Sequence, residues 1–181
     1  MQLSLFQATF FVGIVFLAFG VSLLLNLNSV SALLRSFPRS RRAAYVTMII
    51  GGAWTLYGVT QLGEADFGNF KQYIFIGFLL IGIGAFKYSP DFLSVRGACI
   101  IYLLMAYVLL QPAYMQYEKP LRLLMVTPVY MGIALSVYLA HSPFRVRDFF
   151  NWLFLGSGRT RIFGLAFAGY GALLSGVAFS F

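Results

Sequence analysis

The sequence predicts an all-α protein, a polytopic transmembrane helix bundle of six spans with both termini outside and a short cytoplasmic interfacial amphipathic helix before the last span. Three observations lead there. Hydrophobic residues make up 60% of the chain and charged residues 10%, whereas a soluble domain is roughly 45–50% apolar and about 25% charged. The mean hydropathy is +0.83. The apolar residues also fall into six blocks divided by short charged connections, and each block approaches the roughly 20 residues a helix needs to cross hydrocarbon. Residues 1–181 therefore read as a single integral membrane domain.

The six blocks span about 3–25, 43–62, 70–88, 97–117, 121–140 and 162–181. A lipid-exposed backbone must satisfy its own hydrogen bonds, and no block shows the alternating pattern of a barrel strand, so each is expected to be a helix. Just after the first block, Val30-Ser31-Ala32 has the small-residue look of a signal cleavage site. The segment before it has no Lys or Arg, and its apolar run exceeds the roughly 7–15 residues of a signal h-region, which favours a span. The third block has the shortest strictly apolar run, Tyr73 to Phe86, and is extended by Phe70 and Tyr88. Pro112 and Pro128 lie where they should kink the fourth and fifth spans.

Orientation follows from the basic residues. The stretch "LLRSFPRSRRAA" puts Arg35, Arg39, Arg41 and Arg42 in the first connection. The third carries Lys87 and Arg96, and the fifth Arg145, Arg147, Arg159 and Arg161. Odd connections thus hold ten Lys and Arg, against three in the even ones: Lys71, Lys119 and Arg122. Cytoplasmic loops retain Lys and Arg, so the odd connections are assigned to the cytoplasm and both termini outside. The net charge of +8 is explained by this asymmetry, and no nucleic acid is expected as a partner.

Each odd connection opens on a similar phrase, "SFPRSRR", "YSPDFLSVRG" and "HSPFRVR", with Pro38, Pro90 and Pro143 separated by 52 and 53 residues. Three hairpins in one orientation would make a parallel repeat. Two spans plus two short loops give a similar period without duplication.

The strongest local pattern is "FRVRDFFNWLFLGSGRTR". Val146, Phe149, Phe150, Leu153 and Phe154 share one helical face, with Arg147, Asp148 and Asn151 opposite. This is the expected interfacial helix, with Trp152 in the aromatic belt and Gly156-Ser157-Gly158 ending it. A weaker version at Val30, Leu33, Leu34 and Phe37 reads as the fraying end of the first span. Candidate contacts for anionic lipid or a partner's acidic surface are Arg145, Arg147, Arg159, Arg161, Arg39, Arg41 and Arg42, although topology alone already calls for basic residues there. In the last span Gly164, Ala168, Ala172 and Gly176 recur every four residues, a candidate helix-packing face with Gly51, Gly52 and Gly58 as candidate counterparts.

Chemistry is otherwise sparse. No Asp, Glu, Lys or Arg falls within the body of a span, which argues against proton relays and voltage sensing. The single cysteine, Cys99, excludes an intramolecular disulfide, and His141 is the only histidine. No catalytic residue, metal site or cofactor is expected. Expected partners are the bilayer, other transmembrane proteins or further copies of the chain, and anionic lipid. The reading is a non-catalytic accessory or structural subunit in the membrane, most simply the bacterial cytoplasmic membrane. The alternatives are a small oligomeric channel or transporter for a neutral or anionic solute, and a lipid-handling enzyme at the cytoplasmic face.

Overall fold

The computed structural model describes residues 3–181. Its elements are α1 (Leu5–Leu24), α2 (Asn28–Ser36), α3 (Arg41–Thr60), α4 (Lys71–Tyr88), α5 (Leu93–Leu110), α6 (Arg122–His141), α7 (Phe144–Leu153) and α8 (Ser157–Ala178), with short 3-10 turns between some of them. There is no strand among the described residues. Six helices are long and apolar enough to cross a membrane: α1, α3, α4, α5, α6 and α8. The other two, α2 and α7, are short and amphipathic.

Several boundaries differ from the sequence expectation. The segment at Val30 to Phe37 is not the frayed end of α1: Asn26 takes a left-handed conformation, φ 46°, which ends α1 and lets α2 begin as a helix of its own. Gly156 does not end α7. That helix stops at Leu153, and Gly156 is instead the N-cap of α8, so the last span starts at Ser157 rather than 162 and carries Arg159 and Arg161 in its opening turns. Pro112 does not kink the fourth span, because α5 ends at Leu110 and the proline sits in the 3-10 turn Gln111–Ala113. Pro128 lies inside an α-helix, α6.

The chain forms two compact units. The first comprises the residues through Arg35, Met105–Leu135 and Arg147–Phe181; the second comprises Ser36–Leu104 and Ser136–Val146.

In the first unit α1 and α8 lie antiparallel. Phe6 and Phe10 near the start of α1 meet Phe179 just beyond α8, at 5.6 and 5.8 Å between ring centroids. Toward the other end Phe19 meets Phe167 at 5.2 Å. The backbones nearly touch: a Cβ on Gly20 would lie 2.3 Å from the Ala168 nitrogen, and one on Gly171 2.4 Å from the Leu17 nitrogen. No other residue type fits at either position. Where lipid removes the hydrophobic drive between helices, such close packing is what holds them together. Around these glycines Leu23 and Leu174 are buried, and so is Thr9, whose hydroxyl has no hydrogen-bond partner among the described residues.

Pro128 has no N–H and leaves the carbonyl of Leu124 without its usual intrahelical donor. The hydroxyl of Tyr170 on α8 donates to that carbonyl at 2.6 Å. The gap made by one span is thereby filled by another.

In the second unit α3 and α5 run parallel. The Thr47 hydroxyl shares its proton between the carbonyl of Ala43 in its own helix, at 2.9 Å, and that of Ser94, at 3.2 Å; Gly97 abuts Thr47 and Met48, and Gly51 faces Ile100 one turn further along. A Cβ on Gly97 would lie within 2.4 Å of Thr47 Oγ1. At the entrance to both helices the buried Ser94 hydroxyl donates to the carbonyls of Phe37 and Pro38, at 2.8 and 3.0 Å. Helix α4 packs antiparallel on α3, with Tyr45 stacked on Phe86 at 5.1 Å, and it buries none of its residues.

Candidate functional site

The amphipathic pattern that begins at Phe144 forms α7, which ends at Leu153 and so leaves Phe154 outside it. Leu153 is 1% exposed, and Phe149 and Trp152 each meet Phe163 of α8 at 5.9 Å. The end of a helix leaves carbonyls without donors, and here two arginines supply them. Arg159 Nη1 donates to the Trp152 carbonyl at 3.0 Å, and Arg35 Nη2 donates to that of Phe154 at 2.9 Å. Both guanidinium groups also lie over aromatic rings, Arg159 4.8 Å from the Trp152 centroid and Arg35 5.4 Å from that of Phe154. A positive charge at a helix C-terminus is stabilising. Arg159, a candidate lipid contact, thus has work inside its own unit. Arg35 was outside the candidate set.

The remaining candidates divide by their surroundings. Arg147 is paired with Asp148 at 2.7 Å. Arg145 lies over the ring of Tyr138 in the second unit, 5.7 Å from its centroid. Arg161 is exposed in α8. In the second unit Arg39 lies over Phe92 at 5.7 Å, and Arg41 and Arg42 are exposed in the first turn of α3. Among the described residues, no ion pair is made by Arg39, Arg41, Arg42 or Arg161. Arg39, Arg41 and Arg42 thus stand together at and just before the start of α3.

Of the candidate packing face on α8, Gly164 and Ala168 lie in the contact with α1, while Ala172 and Gly176 are exposed. The contact continues instead through Gly171 and Ser175. A four-residue step overshoots the 3.6-residue turn by about 40°, so three steps carry a stripe about 120° round the helix. Alternating steps of four and three hold one face. The counterparts are Gly13 and Gly20 of α1; Gly52 and Gly58 have nothing within 4 Å of a built Cβ, and Gly51 faces α5.

In the long helices the other basic residues sit at the ends: Lys71 opens α4, Lys87 lies in its last turn, Arg96 is in the first turn of α5 and Arg122 opens α6. Arg96 donates to Ser89 Oγ. Lys119 Nζ donates to the Phe181 carbonyl at 3.2 Å, and Arg122 Nη1 to that of Ala113 at 2.6 Å. Cys99 is buried in α5 and His141 is exposed at the end of α6. Among the described residues no three His, Cys, Asp or Glu side chains come together as a metal site. Thr55 and Thr127 donate to carbonyls of their own helices, and Gln111 lies in the turn after α5; the Thr47 hydroxyl has an acceptor in its own helix, Ala43, and a second in α5, Ser94.

No family model matches this chain, and neither a curated protein nor a solved structure matches it.

Proposed function

We propose that the chain is a non-catalytic multi-pass membrane protein, an accessory or structural subunit that packs against other transmembrane proteins, with its arginine-rich helix ends in the cytoplasm of a bacterial cell. The observation that carries this reading is the distribution of charge. No Asp, Glu, Lys or Arg lies in the body of the six long apolar helices among the described residues, whereas ion paths, proton relays and intramembrane chemistry rest on such groups at membrane depth. Helix α4 adds support, since none of its residues is buried and Gly77 and Gly82 have nothing within 4 Å of a built Cβ.

A photo-crosslinker at Leu80 or Ile81, exposed positions of α4, tests the reading in native membranes. A subunit gives one adduct of fixed size with a larger membrane protein, and that protein co-purifies at fixed stoichiometry after gentle extraction. Lipid adducts alone, together with a lone homo-oligomer that passes solute in liposomes, would contradict it and favour a channel.

A further inference from the structure

Between the start of α3 and the start of α5 the second unit has an open cavity of about 450 Å³, lined by Arg39, Ser40 and Arg41 from one side and Asp91, Phe92 and Ser94 from the other. We propose that this cavity binds the phosphate group of an anionic lipid headgroup, a site distinct from the partner-packing role above.

Arg39 and Arg41 both line the cavity, the Arg39 guanidinium lying over the ring of Phe92, another lining residue, at 5.7 Å. Neither is neutralised by an ion pair among the described residues. Guanidinium presents paired donors that match phosphate oxygens. Arg42 stands in the same first turn, so the local field is strongly positive. The one carboxylate in the wall, Asp91, offsets a single charge.

The backbone adds to this field. Because α3 and α5 are parallel, two helix N-termini open side by side, each equivalent to about half a positive charge. In α3 the Ser40 hydroxyl accepts from the Ala43 N–H at 3.2 Å; the N–H groups of Arg41 and Arg42 precede the first intrahelical bond and have no acceptor within the helix. Like ends held together repel, and an anion between them relieves the repulsion. Ser94 fixes the geometry in advance: it is 1% exposed, and its hydroxyl ties the start of α5 to the carbonyls of Phe37 and Pro38. Pro38, Ala44 and Leu93 supply an apolar floor. Arginines in the opening turn of a membrane span lie at headgroup depth, where phosphates are concentrated.

The test uses the full chain in phosphatidylcholine nanodiscs containing a fixed fraction of phosphatidylglycerol, with retained phosphatidylglycerol counted by native mass spectrometry. The double variant R39Q/R41Q loses about tenfold or more in retention, in line with two basic contacts at an anionic leaflet. The control R147Q/R161Q, equal in charge removed, retains the lipid. Asp91→Asn increases retention severalfold, because it removes the only opposing charge. Millimolar inorganic phosphate separates the two sources of the group: a lipid site keeps its phosphatidylglycerol, and displacement by phosphate would replace the lipid with a free ion and overturn the proposal. Equal losses in the two double variants, or weaker retention in Asp91→Asn, would also overturn it, with circular dichroism and gel-filtration profiles verifying that each variant is folded.

Discussion

Gly164 and Gly171 of α8 and Gly77 and Gly84 of α4 share a seven-residue spacing, yet their surroundings are opposite. In α8 both glycines press against α1, close enough that a methyl group on either would collide with Leu17, Gly20 or Leu24. In α4 a methyl on Gly77 would meet nothing within 4 Å, and one on Gly84 only the ring of Tyr88 at 3.8 Å. The difference is the partner: α1 presents Gly13 and Gly20 at the same interval, running the other way, so ridge and groove interlock. Within lipid a glycine makes no contact of its own. It permits one, and the neighbouring helix decides whether that permission is used.

The largest effect should come from adding a methyl where the permission is used. Gly171→Ala is expected to cost about 2–3 kcal/mol by overpacking against backbone, while Gly77→Ala changes stability by less than about 0.5 kcal/mol. Unfolding in mixed micelles, followed by circular dichroism across a denaturant series, measures both; equal effects would erase the contrast between α8 and α4. A smaller effect concerns the repair of the gap at Pro128. Tyr170→Phe removes the donor to the Leu124 carbonyl and should cost about 1.5 kcal/mol. In a Pro128→Ala background, where an N–H again reaches that carbonyl, the same change should cost less than half as much. A double-mutant cycle with no coupling would show that the tyrosine serves some other purpose. The smallest change runs the opposite way: Thr9→Val replaces a buried, unpartnered hydroxyl in the α1–α8 contact and should stabilise by about 1 kcal/mol. Destabilisation by that amount would mean the hydroxyl has a partner.

What the sequence made legible was local. Six apolar blocks foretold six long helices, because hydropathy over about 20 residues is a property of the segment alone. The face of α7 from Val146 to Leu153 could be read for the same reason, although the helix stops one residue short of Phe154. The pairing of α1 with α8 could not, since it joins residues some 150 positions apart and no local period names the partner. A signal was present all the same, in the matching seven-residue spacings of Gly13–Gly20 and Gly164–Gly171. Reading the last span with a step of four caught Gly164 and Ala168 and then drifted to Ala172 and Gly176, off the contact. Gly156 was read as a stop and serves as a start, because glycine is tolerated at both the C-terminal and the N-terminal boundary of a helix. The cavity beside Arg39 and Arg41 was hidden for another reason: Pro38 and Ser94 are more than fifty residues apart, and only the bond between them brings two helix starts to one wall.

The central claim is that the first and last spans are clasped antiparallel, with the beginning of α1 and the end of α8 together and Arg159 and Arg161, in the opening turns of α8, at the opposite end. Single cysteines at Ser4, Ser180 and Arg161, each in a Cys99→Ser background and probed with a membrane-impermeant maleimide in sealed vesicles of known orientation, test it most directly. The account predicts that Ser4→Cys and Ser180→Cys label from one side and Arg161→Cys from the other side alone. Labelling of Ser4→Cys and Ser180→Cys from opposite sides, or of either from the same side as Arg161→Cys, would contradict it.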